Sequence, residues 1–168
     1  FPLMLYFHGS GGKANQVVTR SFQPEEGMRA PGEGPAHFVA AHGIASASAS
    51  LPLSPDRLPG ASALEYLNFE NLAAFRDTFR QGVLEQRLLL DALLDLRIPA
   101  TALGSCEGVR LPAGMDEVRF DPQQVVGLGQ SMGAQYANMV GAVEERLRAL
   151  VLTGAGGHWS YYLLRTEV

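Results

Sequence analysis

Val125-Val126-Gly127-Leu128-Gly129-Gln130-Ser131-Met132-Gly133-Ala134 sets a short apolar run of strand length directly before a Gly-x-Ser-x-Gly turn, and a helical pattern follows it. Glycine stands two residues before and two after the serine because a sharp strand-to-helix turn brings neighbouring backbone too close for a side chain. Ser131 is thereby presented rather than buried, as at a nucleophile elbow. The competing reading is an ordinary Gly-Ser turn, and the strand before with the helix after favours the elbow.

Outward from that turn, the first residues show a related pattern. Phe1-Pro2-Leu3-Met4-Leu5-Tyr6-Phe7-His8-Gly9-Ser10-Gly11-Gly12 is an apolar run that ends abruptly in a glycine-rich turn. Such loops also build phosphate sites, but Gly11-Gly12-Lys13 lacks the G-x-x-x-x-G-K-S/T spacing of a P-loop. Between these two stretches, strand and helix signals alternate. A strand at 3–7 is followed by a loop-rich stretch over 13–36, where Pro24, Pro31 and Pro35 exclude a long helix. Then come a short helix near 36–42, a strand near 44–50 and a Pro/Ser/Gly-rich excursion from Pro52 to Ser62. From Leu72 to Leu96 a long helix keeps Phe75, Phe79, Val83, Leu90 and Leu94 on one stripe, read as core packing, with Gln86 interrupting it. A loop over 102–120 precedes the serine strand, and a helix over 132–143 and a strand over 147–152 follow it. This alternation predicts an α/β fold: a mostly parallel sheet with helices on both faces.

Composition bounds the alternatives. With 46% hydrophobic and 18% charged residues, 168 residues suit a single globular domain with a sizeable core. Thirteen basic residues against 17 acidic give a net charge of −4, and Lys13 is the only lysine, so no basic stripe exists for nucleic acid. Apolar runs fall short of the roughly 18 residues of a membrane-spanning helix. Cys106 is the only cysteine, and Glu107 beside it disfavours a reactive thiolate. No Cys/His spacing suggests zinc, and neither a metal nor another cofactor is expected.

Both glycine-flanked turns resemble the α/β-hydrolase superfamily, in which a strand followed by His-Gly supplies one oxyanion-hole amide and the residue after the nucleophile the other. The resemblance implies Ser131 as nucleophile, with oxyanion donors at the backbone amides of Ser10, joined by Gly9 or Gly11, and of Met132. The stretch Phe38 to Pro52 is similar to the segment where these hydrolases end a helix at glycine and carry a strand to a Pro-containing loop. Asn68-Phe69-Glu70-Asn71-Leu72-Ala73-Ala74-Phe75-Arg76-Asp77-Thr78-Phe79-Arg80-Gln81 resembles a stretch of bacterial extracellular lipases and esterases, where an Arg-Asp-x-x-Arg-Gln run opens a long helix. What this implies is hydrolysis of a small-molecule or lipid ester through an acyl-enzyme on Ser131, outside the cell or in its envelope. A peptidase or acyltransferase on the same scaffold, and a noncatalytic binding protein, stay open as alternatives.

In that superfamily an acid and then a histidine follow the serine. Here no aspartate comes after Asp121; Glu144 and Glu145 lie beside Arg146 and Arg148, which predicts a salt-bridged or solvated face, and Glu167 stands at the end. His158 is the only later histidine, yet it follows the first strand beyond the elbow and not the last. It is weighed as general base, and with Trp159 it is expected instead to wall a pocket. His8 is expected to orient the oxyanion loop, and His37 and His42 to sit apart on a helix. Residues 1–168 are therefore expected to be the central part of a single α/β-hydrolase domain, incomplete at both ends. Excursions near 20–36, 52–62 and 102–120 would shape a pocket or lid. The triad acid and histidine would belong to the remaining part of the same hydrolase.

Overall fold

The computed structural model describes residues 1–19, 34–106, 110–159 and 164–165. Most of the excursion expected near 20–36, and the residues Glu107 and Glu167, lie outside the described residues. In chain order the elements are β1 (Leu3–Phe7), α1 (Pro35–Ala40), β2 (Ala45–Ser48), α2 (Leu72–Asp95), β3 (Ile98–Pro99), β4 (Glu117–Val118), β5 (Val125–Gln130), α3 (Met132–Gly141) and β6 (Leu147–Thr153). Four of them form a parallel sheet in the order β2-β1-β5-β6, with Leu3 opposite both Ala45 and Val125, and Phe7 opposite Gly129.

β1 is buried along its whole length because helices cover both faces of the sheet at its centre. Leu3, Leu5 and Phe7 point to the side of α2 and α3, where they pack with Phe79, Leu90, Met132, Tyr136 and Val140. Met4 and Tyr6 point to the opposite side, where Val17, Ala36 and Val39 meet them. The period-two alternation of one strand thus feeds two separate cores. The α/β architecture expected from the alternating pattern is the observed one.

Local chemistry sets the element ends. α1 opens with Pro35 at its first turn and is followed by Gly43 at φ 73°, a conformation open to glycine. Asn71 caps α2 by accepting the Ala74 amide at 3.1 Å, and α2 gives way to extended backbone at Leu96 ahead of Pro99. The shorter β2 is pinned where the Ser48 hydroxyl donates to the Tyr6 carbonyl at 2.8 Å.

Two expectations are corrected. Gln86 does not break the stripe of α2: it is 2% exposed and lies on the buried face with Phe79, Gly82 and Leu90, while Phe75, Val83 and Leu94 sit half-buried. The stretch 102–120 is not a plain loop either, because Ile98 and Pro99 pair antiparallel with Val118 and Glu117, closing it as a small two-stranded excursion.

Candidate active site

β5 delivers the chain into the serine turn at the carboxyl edge of the sheet. Ser131 sits at φ 54° and ψ −122°, a backbone conformation costly for any residue with a Cβ. Its amide donates to the Thr153 carbonyl at 2.8 Å, and its own carbonyl accepts the Ala134 amide at 2.9 Å. The Thr153 hydroxyl adds a bond to the Gly129 carbonyl at 2.9 Å. Both flanking glycines are required by contact. A Cβ on Gly129 would stand 2.5 Å from the Ala134 Cα, and one on Gly133 would stand 2.0 Å from the Phe7 carbonyl oxygen. The second contact shows how closely the start of α3 lies against the end of β1. Ser131 is half-exposed, and among the described residues no side chain hydrogen-bonds its hydroxyl.

The turn after β1 stands beside it, because β1 and β5 are adjacent and in register to Phe7 and Gly129. Gly12 donates to the Gly9 carbonyl at 3.0 Å and closes the turn; among the described residues the Ser10 amide makes no backbone hydrogen bond. The amide of Met132 opens α3 and has no acceptor within the helix. The amides of Ser10 and Met132 thus have no acceptor among the described residues, in the turns that end the neighbouring strands β1 and β5, the second at a helix end that carries partial positive charge.

His8 holds this turn from beneath. It is fully buried, and its Nε2 accepts the Leu51 amide at 2.9 Å. That bond assigns the proton to Nδ1, which faces the Gly9 carbonyl at 2.9 Å. Burial pushes the imidazole below its ordinary 6.5, against smaller opposing effects of the Gly9 carbonyl and Asp56. The neutral ring is the form that can accept from Leu51. Around it, Asp56 accepts from the Ser50 hydroxyl at 3.0 Å and pairs with Lys13 at 3.3 Å, tying the turn after β1 to the segment after β2. Ser10 adds one contact that its sequence surroundings did not suggest: its hydroxyl donates to the Tyr66 hydroxyl at 3.0 Å.

His158 and Trp159 lie elsewhere on the same edge. After β6 the chain turns at Gly154 and Gly156, both at positive φ, and runs along the flank of α3. His158 is exposed; with Trp159, Gln135, Asn138 and Met139 it lines a cavity of about 260 Å³ that does not include Ser131. Trp159 packs edge-on against Phe75 at 4.9 Å and Phe79 at 5.4 Å. Beyond it a larger apolar groove of about 740 Å³ runs between α2 and α3, also apart from the serine. Glu144 is buried and held by Arg146 and Arg87, and the Arg146 hydrogen bonds bring its carboxyl down to about 2, so it serves as a structural ion-pair centre. Cys106 is exposed. Among the described residues no group of His, Cys, Asp and Glu could hold a metal ion, and no helix is long and apolar enough to cross a membrane.

No protein-family model and no curated protein matches the chain. Among solved structures it is similar to a Bacteroides fragilis protein that bears the provisional name acetyl xylan esterase, at 14% identity with a TM-score of 0.58. The likeness covers 89% of this chain and 36% of that one, so the chain spans about a third of that protein's length. At that identity the likeness is one of fold, and it agrees with the α/β architecture and parallel sheet described above.

Proposed function

We propose that the chain carries the nucleophile and the oxyanion-binding part of a serine hydrolase that cleaves carboxylic esters. The observation that supports this reading is the backbone of Ser131, a non-glycine residue at φ 54° on a turn closed by Gly129 and Gly133 and set against the Gly9–Gly12 turn. Strain at a presented serine, with free amides on two sides, suits attack on a carbonyl. In this scheme Ser131 Oγ gives its proton to a histidine supplied from outside the described residues and bonds to the ester carbon. The carbonyl electron pair moves to oxygen, where the amides of Ser10 and Met132 stabilise the charge. Collapse breaks the bond to the alcohol, which leaves with the proton, and water then repeats the sequence on the acyl-enzyme to free the acid. The name of the structural neighbour puts acetyl esters among the substrates to test, and the resemblance to extracellular lipases and esterases adds longer acyl chains. A location outside the cell or in its envelope belongs to the same proposal.

A fluorophosphonate probe applied to the full-length protein is expected to label Ser131, and Ser131→Ala to abolish both labelling and p-nitrophenyl ester turnover without any effect of chelators. Labelling at a different serine overturns the assignment. A folded protein that binds esters, leaves Ser131 unlabelled and turns nothing over supports a noncatalytic binding module. The absence of a described partner for the Ser131 hydroxyl gives that second reading its footing.

A further inference from the structure

We infer that Tyr66 is a positioning residue for the oxyanion-binding turn, holding Ser10 by its hydroxyl and tying that turn to the helix that begins at the nucleophile. The inference rests on the esterase reading for its catalytic half and on geometry alone for its structural half. Gly9-Ser10-Gly11-Gly12 contains three glycines, so the residues of the turn restrict their own backbone weakly. An oxyanion donor has to be fixed before charge develops, because reorganising it during the reaction forfeits its advantage. The Gly12–Gly9 bond and His8 hold the ends of the turn, and Ser10 at its middle is held by a contact from outside it. Ser10 supplies the attachment point: its hydroxyl donates to the Tyr66 hydroxyl oxygen at 3.0 Å.

Tyr66 is itself anchored. It is 4% exposed, lies in the short 3-10 turn Glu65–Leu67, and its carbonyl accepts from the Asn68 side chain at 3.2 Å. That same amide nitrogen reaches Thr78 Oγ1 on α2 at 3.2 Å. The Tyr66 ring stands edge-on to Phe79 at 6.0 Å, and Phe79 stacks on Tyr136 of α3 at 4.5 Å. The Tyr136 hydroxyl donates to the Thr78 carbonyl at 3.3 Å, closing the assembly across α2. A contiguous set of packed rings and hydrogen bonds thus runs from Ser10 to the helix that Ser131 opens. Tyr66 does not touch the ester in this scheme and acts through Ser10.

The test uses the full-length protein. Tyr66→Phe keeps the ring and removes the acceptor, and Ser10→Ala removes the donor while leaving the Ser10 amide in place. Each is expected to lower kcat about tenfold with KM changed by less than about twofold, and the double variant to be no worse than either alone. Amide hydrogen exchange at residues 9–12 is expected to speed up in both variants, with the thermal midpoint close to that of the parent. Unchanged exchange in Tyr66→Phe overturns the positioning role whatever the activity does. Faster exchange with unchanged kcat, in a protein whose Ser131 takes the probe, overturns the link between turn and turnover while the esterase reading stands. Failure of Ser131 to label sinks the esterase reading and the catalytic half of this inference, and the exchange result alone then decides the structural half.

Discussion

A serine at φ 54° and ψ −122° occupies backbone space that glycine enters at no steric cost, so the fold carries strain at Ser131 that its position in the turn imposes. Holding a non-glycine residue there costs on the order of 1 to 3 kcal/mol. Ser131→Gly is therefore expected to stabilise the protein by about 1 kcal/mol in chemical denaturation while ending probe labelling, whereas Ser131→Ala ends labelling without that gain. Equal stability of the two variants would show that the turn is not strained. Much of this site is legible residue by residue, because the serine turn and the His8–Gly12 turn are each a contiguous run whose glycines state their own backbone demands. Tyr66 is not. Fifty-six positions separate it from Ser10, and a tyrosine between the Pro/Ser/Gly-rich excursion and α2 carries no local mark of the hydroxyl it will meet. His158 is expected with Trp159 on a pocket wall rather than as the base, and after the turns at Gly154 and Gly156 both line the cavity beside α3.

His8 and Glu144 each join elements to one another, and their pH dependences fall in separate windows. His8 fastens the turn after β1 to Leu51 beyond β2, and burial holds its folded pKa below the ordinary 6.5. Its contribution is complete above about 6.5 and is lost as pH falls below that value, because the unfolded chain then takes up a proton that the folded ring resists. Glu144 fastens the end of α3 to the start of β6 through Arg146, which also pairs with Asp91 of α2 at 2.7 Å. Its folded value of about 2 lies below the ordinary 4.5, so its contribution is full above about 4.5 and disappears between there and about 2. Stability measured against pH is expected to fall in two steps. His8→Gln should flatten the upper one, and Glu144→Gln should shrink the lower, which Asp56 and Glu85 share, each variant being less stable at neutral pH. An upper step that survives His8→Gln, or a lower step unchanged by Glu144→Gln, would place that titration elsewhere. At this scale the long strands and helices follow from periodicity, and the exceptions have physical causes. Two-residue strands such as Ile98–Pro99 are too short to show a period, and Gln86 is polar by type yet placed by its spacing on the buried stripe of α2.

Across the whole molecule the sheet is unevenly covered. α2 and α3 lie over one face, and Leu150 of β6 packs into that core; on the other face α1 and Val17 serve the centre of the sheet, and Val151 of β6 remains 56% exposed. β6 is also an edge of the described sheet, with Leu152 and Ala149 exposed along it. Parallel sheets are stable when both faces are buried, and an uncapped apolar edge strand offers unpaired amides and carbonyls to any similar strand. The polypeptide is therefore expected to self-associate in sedimentation velocity as its concentration rises. Val151→Lys with Leu152→Lys places charge on both sides of the edge strand and should shift that distribution toward monomer. Monomer at every concentration for the parent polypeptide would show that β6 is protected as it stands.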